Sequence, residues 1–332
     1  MSDVATTRTM SAGRRESFFS NLPAGAGTAS MVGGAWIVLV IASTLHRADF
    51  LSYQTLLAVT FTMAIVGVLA VAQALVGVSG AILDLSQPTV LTLSGAVICQ
   101  LLSMNWPLPA VLFIGVVVGA LWGLTNATII VAGKLNPIIV TLATNFIGTA
   151  TMFLIFQHIQ APITSPLVAW GQGNFFGLPN IWWPMLVLVL LVGYFLPRTR
   201  YGRHAIAVGG SRFAAQARGI SLRKTRFAIF IIAGAISGLA SIMFVASNGP
   251  FAPNAGTTFQ LPVIAGVILA GVSLAGGRGN LWLILLSVGF LSTVPTSLVF
   301  FGFSSNWQAV FQGFILVVAV SLDGWRARRL LR

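Results

Sequence analysis

The chain predicts an all-α fold: a polytopic membrane protein with about ten transmembrane helices, some broken or tilted, and both termini in the cytoplasm. Three observations carry this expectation. Of 332 residues, 57% are hydrophobic and only 7% are charged, where a soluble domain has about a quarter charged. The mean hydropathy is +0.94. The apolar residues gather into runs near the length of helix that crosses a bilayer, about 20 residues, and the cations collect between alternate runs.

Taken in order, residues 1–27 hold Arg8, Arg14 and Arg15 among Ser, Thr, Gly and Ala. They lack the apolar core and cleavage site of a secretory leader and read as a flexible cytoplasmic tail, with the first span as its own insertion signal. Spans are expected at 28–46, 54–77, 81–104, 108–132, 137–158, 181–197, 227–247, 260–275, 280–302 and 306–322. The sixth, eighth and tenth are short. Pro262, near the start of the eighth, and Pro295, inside the ninth, predict kinks, because proline removes a helix hydrogen bond. The membrane domain covers 28–325 and a basic tail follows at 326–332. The outer segments 159–180 and 248–259, rich in Pro, Gly and aromatics, read either as docking surfaces or as connectors with interfacial anchors.

Charge orients this layout. Every Lys and Arg except Arg47 falls in a segment placed on the cytoplasmic side, as the positive-inside rule requires. The densest run is the loop 198–226, with Arg198, Arg200, Arg203, Arg212, Arg218, Arg223, Lys224 and Arg226 and no acid. The net charge of +13 points to the lipid bilayer and no nucleic acid, because the cations sit in short segments between apolar runs. The lone Cys99 excludes an internal disulfide. No Cys pair, His-Glu-x-x-His or paired carboxylate occurs among the five acids, so no metal site and no catalytic residue is expected.

Four groups of residues stand out. The first is Gly77 through Thr89, where Asp84 lies beside Ser86, Gln87 and Pro88 at the handover from the second to the third span. A carboxylate at membrane depth marks function by default, while near a boundary it also serves by bonding the free amides of a helix start. The second is Gly209-Gly210-Ser211-Arg212-Phe213-Ala214-Ala215-Gln216-Ala217-Arg218-Gly219. Ser211 is a helix N-cap and Gly219 a stop, which predicts a two-turn helix at 211–218. It reads either as a docking element for a cytoplasmic protein or as a headgroup-binding connector. The third is Gly276-Gly277-Arg278-Gly279, a tight cytoplasmic turn without the phosphate-cradling pattern of nucleotide sites. The fourth is polar residues within spans, with Gln73, Asn126, Asn145 and Thr149 joining Asp84 as candidates for a translocation path and Gln157, Ser237 and Ser241 beside them; such groups either glue helices or line a route.

Together these segments resemble the permease subunits of ribose-type bacterial ABC sugar importers, in the superfamily that includes branched-chain amino acid permeases. Ser79-Gly80-Ala81-Ile82-Leu83-Asp84-Leu85-Ser86 is similar to the family's Gly-Gly-Ile-Asp-Leu-Ser, with Gln87-Pro88-Thr89 replacing the small residues that follow. Tyr201-Gly202-Arg203, Val208-Gly209-Gly210-Ser211, Ala214-Ala215 and Gly219-Ile220 are similar to the family's loop, although Arg212 and Phe213 stand where it carries acids. Ser273 through Gly279 resembles Ser-Leu-Ala-Gly-Gly-Lys-Gly, and Thr149-Ala150 replaces an Arg-Gly pair. The resemblance implies a permease in the bacterial inner membrane, with ABC ATPase subunits, a second permease copy or paralogue and a periplasmic sugar-binding protein as partners. It implies that ATP and Mg²⁺ belong to the ATPase, leaving this chain with no cofactor of its own, and that the loop 198–226 couples to that ATPase. A proton-coupled transporter or channel built on Asp84 is the competing reading, and a cargo-free structural membrane protein a third.

Overall fold

The computed structural model describes residues 26–81, 83–155, 164–249 and 254–330. Arg8, Arg14 and Arg15 of the tail, Gln157 and the start of the outer segment 159–180, part of the loop 248–259, and Arg332 lie outside the described residues. Thirteen described helices follow one another: α1 (Ala26–His46), α2 (Tyr53–Val76), α3 (Gln87–Ser103), α4 (Leu108–Ala132), α5 (Pro137–Ile155), α6 (Pro166–Gly171), α7 (Trp182–Arg198), α8 (Arg200–Gly210), α9 (Arg212–Ala217), α10 (Leu222–Asn248), α11 (Thr257–Leu269), α12 (Ile284–Phe300) and α13 (Ser305–Leu330). One small antiparallel pair, Asn174–Phe175 with Leu178–Pro179, lies between α6 and α7.

Six helical segments are long and apolar enough to cross a membrane, and a seventh is added if α7 and α8, bent by 74° at Thr199, count as one. Three more apolar segments, α3, α11 and Asn306–Ser321 of α13, fall short of that length. Local signals set the ends. Ser52 caps α2 by accepting from Thr55 N–H, and α4 starts at the Pro107–Pro109 pair and stops where Lys134 turns left-handed at φ 51°.

One expectation needs correction. The third span was placed from residue 81, yet α3 begins only at Gln87. The chain before it loosens from α2 into a wide turn at Gly77–Ala81, in which Gly80 has φ 73°. Pro88 near the first turn of α3, which has no amide to lose there, fixes that start. Pro262 and Pro295 lie inside α11 and α12, which run through both prolines without interruption.

The core is organised on α2, α4 and α10. The most extensive pairing is α4 with α10. Gly115, Gly119 and Gly123, spaced by four, form one face of α4 against Gly234 and Gly238 of α10. A Cβ at Gly119 would collide with the Gly234 carbonyl, one at Gly123 with the Phe230 carbonyl, and one at Gly238 would stand 2.6 Å from the Gly115 carbonyl. Small residues at this spacing let two backbones touch, which in lipid is a main source of helix association. Phe230, fully buried, fills the space beneath.

Candidate functional site: a broken helix, its clamp and the basic loop

The turn between α2 and α3 is held by a buried polar network. Asp84 Oδ1 accepts from Ser86 N–H at 2.9 Å and from Ser86 Oγ–H at 2.7 Å. Ser86 Oγ in turn accepts from Asn126 Nδ2 at 2.7 Å, and Asn126 Oδ1 accepts from Thr144 Oγ1 at 2.8 Å. Thr141 Oγ1 takes the Leu85 amide at 3.0 Å. Thr89 Oγ1 reaches the carbonyl and side-chain oxygens of Asn145, both at 2.8 Å, and lies 3.2 Å from Thr149 Oγ1. On the other side, with its amide turned to suit its neighbours, Gln73 accepts from the Asp84 amide at 3.1 Å and donates to the Asp84 carbonyl at 3.0 Å.

Gln73, Asp84, Asn126, Asn145 and Thr149 are therefore all found around one segment, residues 84–89. The network divides them by role. Asn126, Asn145 and Thr149 fasten that segment to α4 and α5, while Gln73 and Asp84 face α11. Ser86 and Thr89, both 0% exposed, are the hubs, and the sequence reading did not single out Thr89 or assign Ser86 a partner. Asp84 does not bond the free amides inside the first turn of α3; it closes a two-residue turn just before it. Ser241 ties α10 to α3 by donating to the Leu91 carbonyl at 2.8 Å, whereas Ser237 bonds back to the Ala233 carbonyl of its own helix at 3.0 Å.

Between residues 84–88 and the start of α11 lies a narrow cleft of about 10 Å³, room for about one water, whose polar lining includes Gln73, Asp84, Gln87 and Gln260. Gly256 packs against the Pro88 backbone, where a Cβ would stand 2.9 Å from Pro88 Cα. The N-terminal ends of two short helices, α3 and α11, thus meet at this cleft.

The basic loop folds as the capping residues dictate, with one addition. Ser211 accepts from Ala214 N–H at 3.3 Å, α9 covers Arg212–Ala217, and Gly219 ends it at φ 75° while Ile220 N–H returns to the Ala215 carbonyl at 3.0 Å. Before it stands α8, which was not anticipated. Thr199 caps it by accepting from Gly202 N–H at 3.2 Å, and it buries Gly202, Ala205 and Val208. Its glycines and cations concealed a helix whose apolar face is only three residues wide. On α9, Ala215 faces inward and Phe213 is 84% exposed.

Three segments far apart in sequence then converge. Arg212 Nη2 donates to the Gly80 carbonyl at 3.0 Å, and Gly277 N–H donates to the Val78 carbonyl at 2.8 Å. A Cβ at Gly80 would stand 3.0 Å from Gly209 Cα, one at Gly209 would stand 2.5 Å from Gly277 N, and one at Gly276 would stand 2.6 Å from Gly80 Cα. Gly276 and Gly277 have φ of 89° and 73°, so the turn they make requires glycine as well as the close approach. The end of α8, the turn after α2 and the loop 271–279 form one backbone joint, with α9 attached to it through Arg212. Arg212, Arg218 and Arg278 are all exposed, and Arg212 is the one whose guanidinium is bonded back to the joint.

This broken-helix and basic-loop arrangement can be set beside known proteins. A model of the branched-chain amino acid transport system permease component family matches residues 55–320. The chain belongs to that permease family. It is 31% identical to the ribose import permease protein of Bacillus subtilis (strain 168), over 87% of this chain and 90% of that protein. It is 31% identical to the fructose import permease protein of Rhizobium meliloti, over 87% and 84% of the two chains. With the L-arabinose ABC transporter permease protein of Azospirillum brasilense it shares 26% identity over 89% and 90%. No solved structure matches. The permease is thus a transport subunit and not an enzyme, and all three converging segments lie inside the matched region.

Proposed function

We propose that this permease is the membrane subunit of an ATP-driven importer that moves a sugar or related polyol across the bacterial inner membrane. In this reading all ten apolar helices (α1 to α5, α7 and α10 to α13) cross or enter the bilayer, and both termini and the loop 198–226 lie inside. The ATPase subunits hold ATP and Mg²⁺, a second copy or paralogue completes the path, and a periplasmic sugar-binding protein delivers cargo. The observation that carries the reading is α9: a separate, doubly capped helix too short to bury a core of its own, with Phe213 outward and Arg212 tied to the broken helix. The family membership and the sugar-permease relatives support it.

The mechanism is mechanical. Nucleotide-driven closure of the ATPases displaces α9 as a rigid piece. Arg212 and the glycine joint pass that displacement to residues 77–83, while α4 and α5 hold residues 84–89 through Ser86 and Thr89. Motion is thereby focused on the cleft facing α11. Asp84 serves as the pivot of the turn, its Oδ1 committed to Ser86. The test is a Phe213→Cys variant in the assembled transporter, with Cys99→Ser as background. A short bifunctional thiol reagent should join it to the ATPase subunit in a nucleotide-dependent way. Loss of any cross-link in both nucleotide states, or labelling of that thiol from outside intact cells, overturns the reading.

A further inference from the structure

We infer that the cleft between residues 84–88 and α11 is the point at which this subunit touches its cargo, and that it takes an uncharged, hydroxyl-rich solute through Asp84, Gln87 and Gln260. The inference rests on the transport reading above and adds the contacting residues. Gln87 is 4% exposed and Asp84 6% exposed, and both line the narrow cleft. Here Asp84 Oδ1 is satisfied by Ser86, but among the described residues Asp84 Oδ2 has no partner. Gln87 meets only the Gln73 amide, 3.2 Å away, at one end of its own amide. Gln260, one turn into α11, has no hydrogen-bond partner among the described residues either.

The free positions therefore comprise one carboxylate oxygen, which only accepts, and two amides, which both donate and accept. A ring of hydroxyls satisfies all three, since each hydroxyl donates once and accepts twice. No cation lines the cleft, so nothing there pairs with an anionic solute. Phe259, set edge-to-face against Phe244 at 5.8 Å between ring centroids, offers the apolar wall that binding sites combine with a few placed polar groups. Broken helices whose ends meet inside the membrane are the usual setting of transporter sites.

Two readouts in the assembled transporter, reconstituted with its ATPase and binding protein, decide this. In a Cys99→Ser background, the thiols of Gln87→Cys and Gln260→Cys should react with a small hydrophilic methanethiosulfonate reagent, and the rate should change with nucleotide. Unreactive thiols in every nucleotide state overturn the inference, because a solute path is wet at some stage. With D-ribose, D-fructose and L-arabinose as probes, Gln87→Leu and Gln260→Leu should each lower the maximal uptake rate about tenfold. The half-saturating concentration, set by the binding protein, and ATPase activity without binding protein should stay at wild-type values. Uptake at the wild-type rate in both variants overturns the inference. Loss of the Phe213→Cys cross-link, with the cleft thiols still reactive, overturns the importer reading instead.

Discussion

The same residue does opposite work in two regions of this permease. Between α4 and α10, Gly115, Gly119 and Gly123 meet Gly234 and Gly238 along continuous helices, and the glycines only remove side chains so that backbones touch. At the joint of α2, α8 and the loop 271–279, Gly80, Gly276 and Gly277 adopt left-handed backbone, and the contact joins three turns instead of two rods. A pair of rods in van der Waals contact along several turns resists displacement, since any shift breaks many contacts together. Three turns meeting at a point, pinned by Gly277 N–H to Val78 and Arg212 to Gly80, can rotate while staying connected. In the proposed mechanism the α4–α10 pair is the frame and the joint is the linkage.

Substitutions separate the two. The largest effect belongs to the frame: Gly119→Leu drives a side chain into the Gly234 backbone and should cost about 3 kcal/mol or more, read as loss of the monodisperse peak in detergent and a lowered unfolding temperature. Next comes the linkage. Gly277→Ala should leave a folded, inserted subunit that still binds its ATPase, but sugar moved per ATP hydrolysed should fall roughly tenfold. Arg212→Gln, which loses the bond to Gly80 and leaves the glycines intact, should produce a smaller fall of the same kind. Ser86→Ala leaves Asp84 Oδ1 and Asn126 Nδ2 without their side-chain partner and should lower stability by about 1–3 kcal/mol, measured by thermal unfolding. The smallest effect is expected at Gly34→Ala, where an added Cβ meets nothing within 4 Å; wild-type stability and transport should result. If Gly34→Ala and Gly277→Ala behave alike, the distinction between frame and linkage fails.

What could be read in advance follows the range of the interactions. The span expected at 108–132 coincides with α4, because prolines precede it and Gly133-Lys134 closes it. The helix expected at 211–218 is present at Arg212–Ala217, because Ser211 and Gly219 are local signals. The late start of α3 was missed, since Ala81-Ile82-Leu83 is as apolar as a helix interior, and only the wide turn at Gly77–Ala81 reveals the break. The α4 glycine stripe was legible as a spacing of four but was passed over. Nothing local reveals that Ser86 would find Asn126, forty residues on, or that Val78, Gly209 and Gly277 would share one point. Those are tertiary facts, created when three helix ends meet.

The central claim is that α9 moves relative to a stationary frame. Spin labels at Phe113→Cys on α4 and Phe213→Cys on α9, with Cys99→Ser, report that motion in the assembled transporter; Phe113→Cys with Ile232→Cys on α10 reports the frame. Trapping the ATPase with nucleotide should shift the Phe113–Phe213 distance by several ångströms and leave the Phe113–Ile232 distance unchanged. Equal shifts in both pairs, or none in the first, would contradict the account.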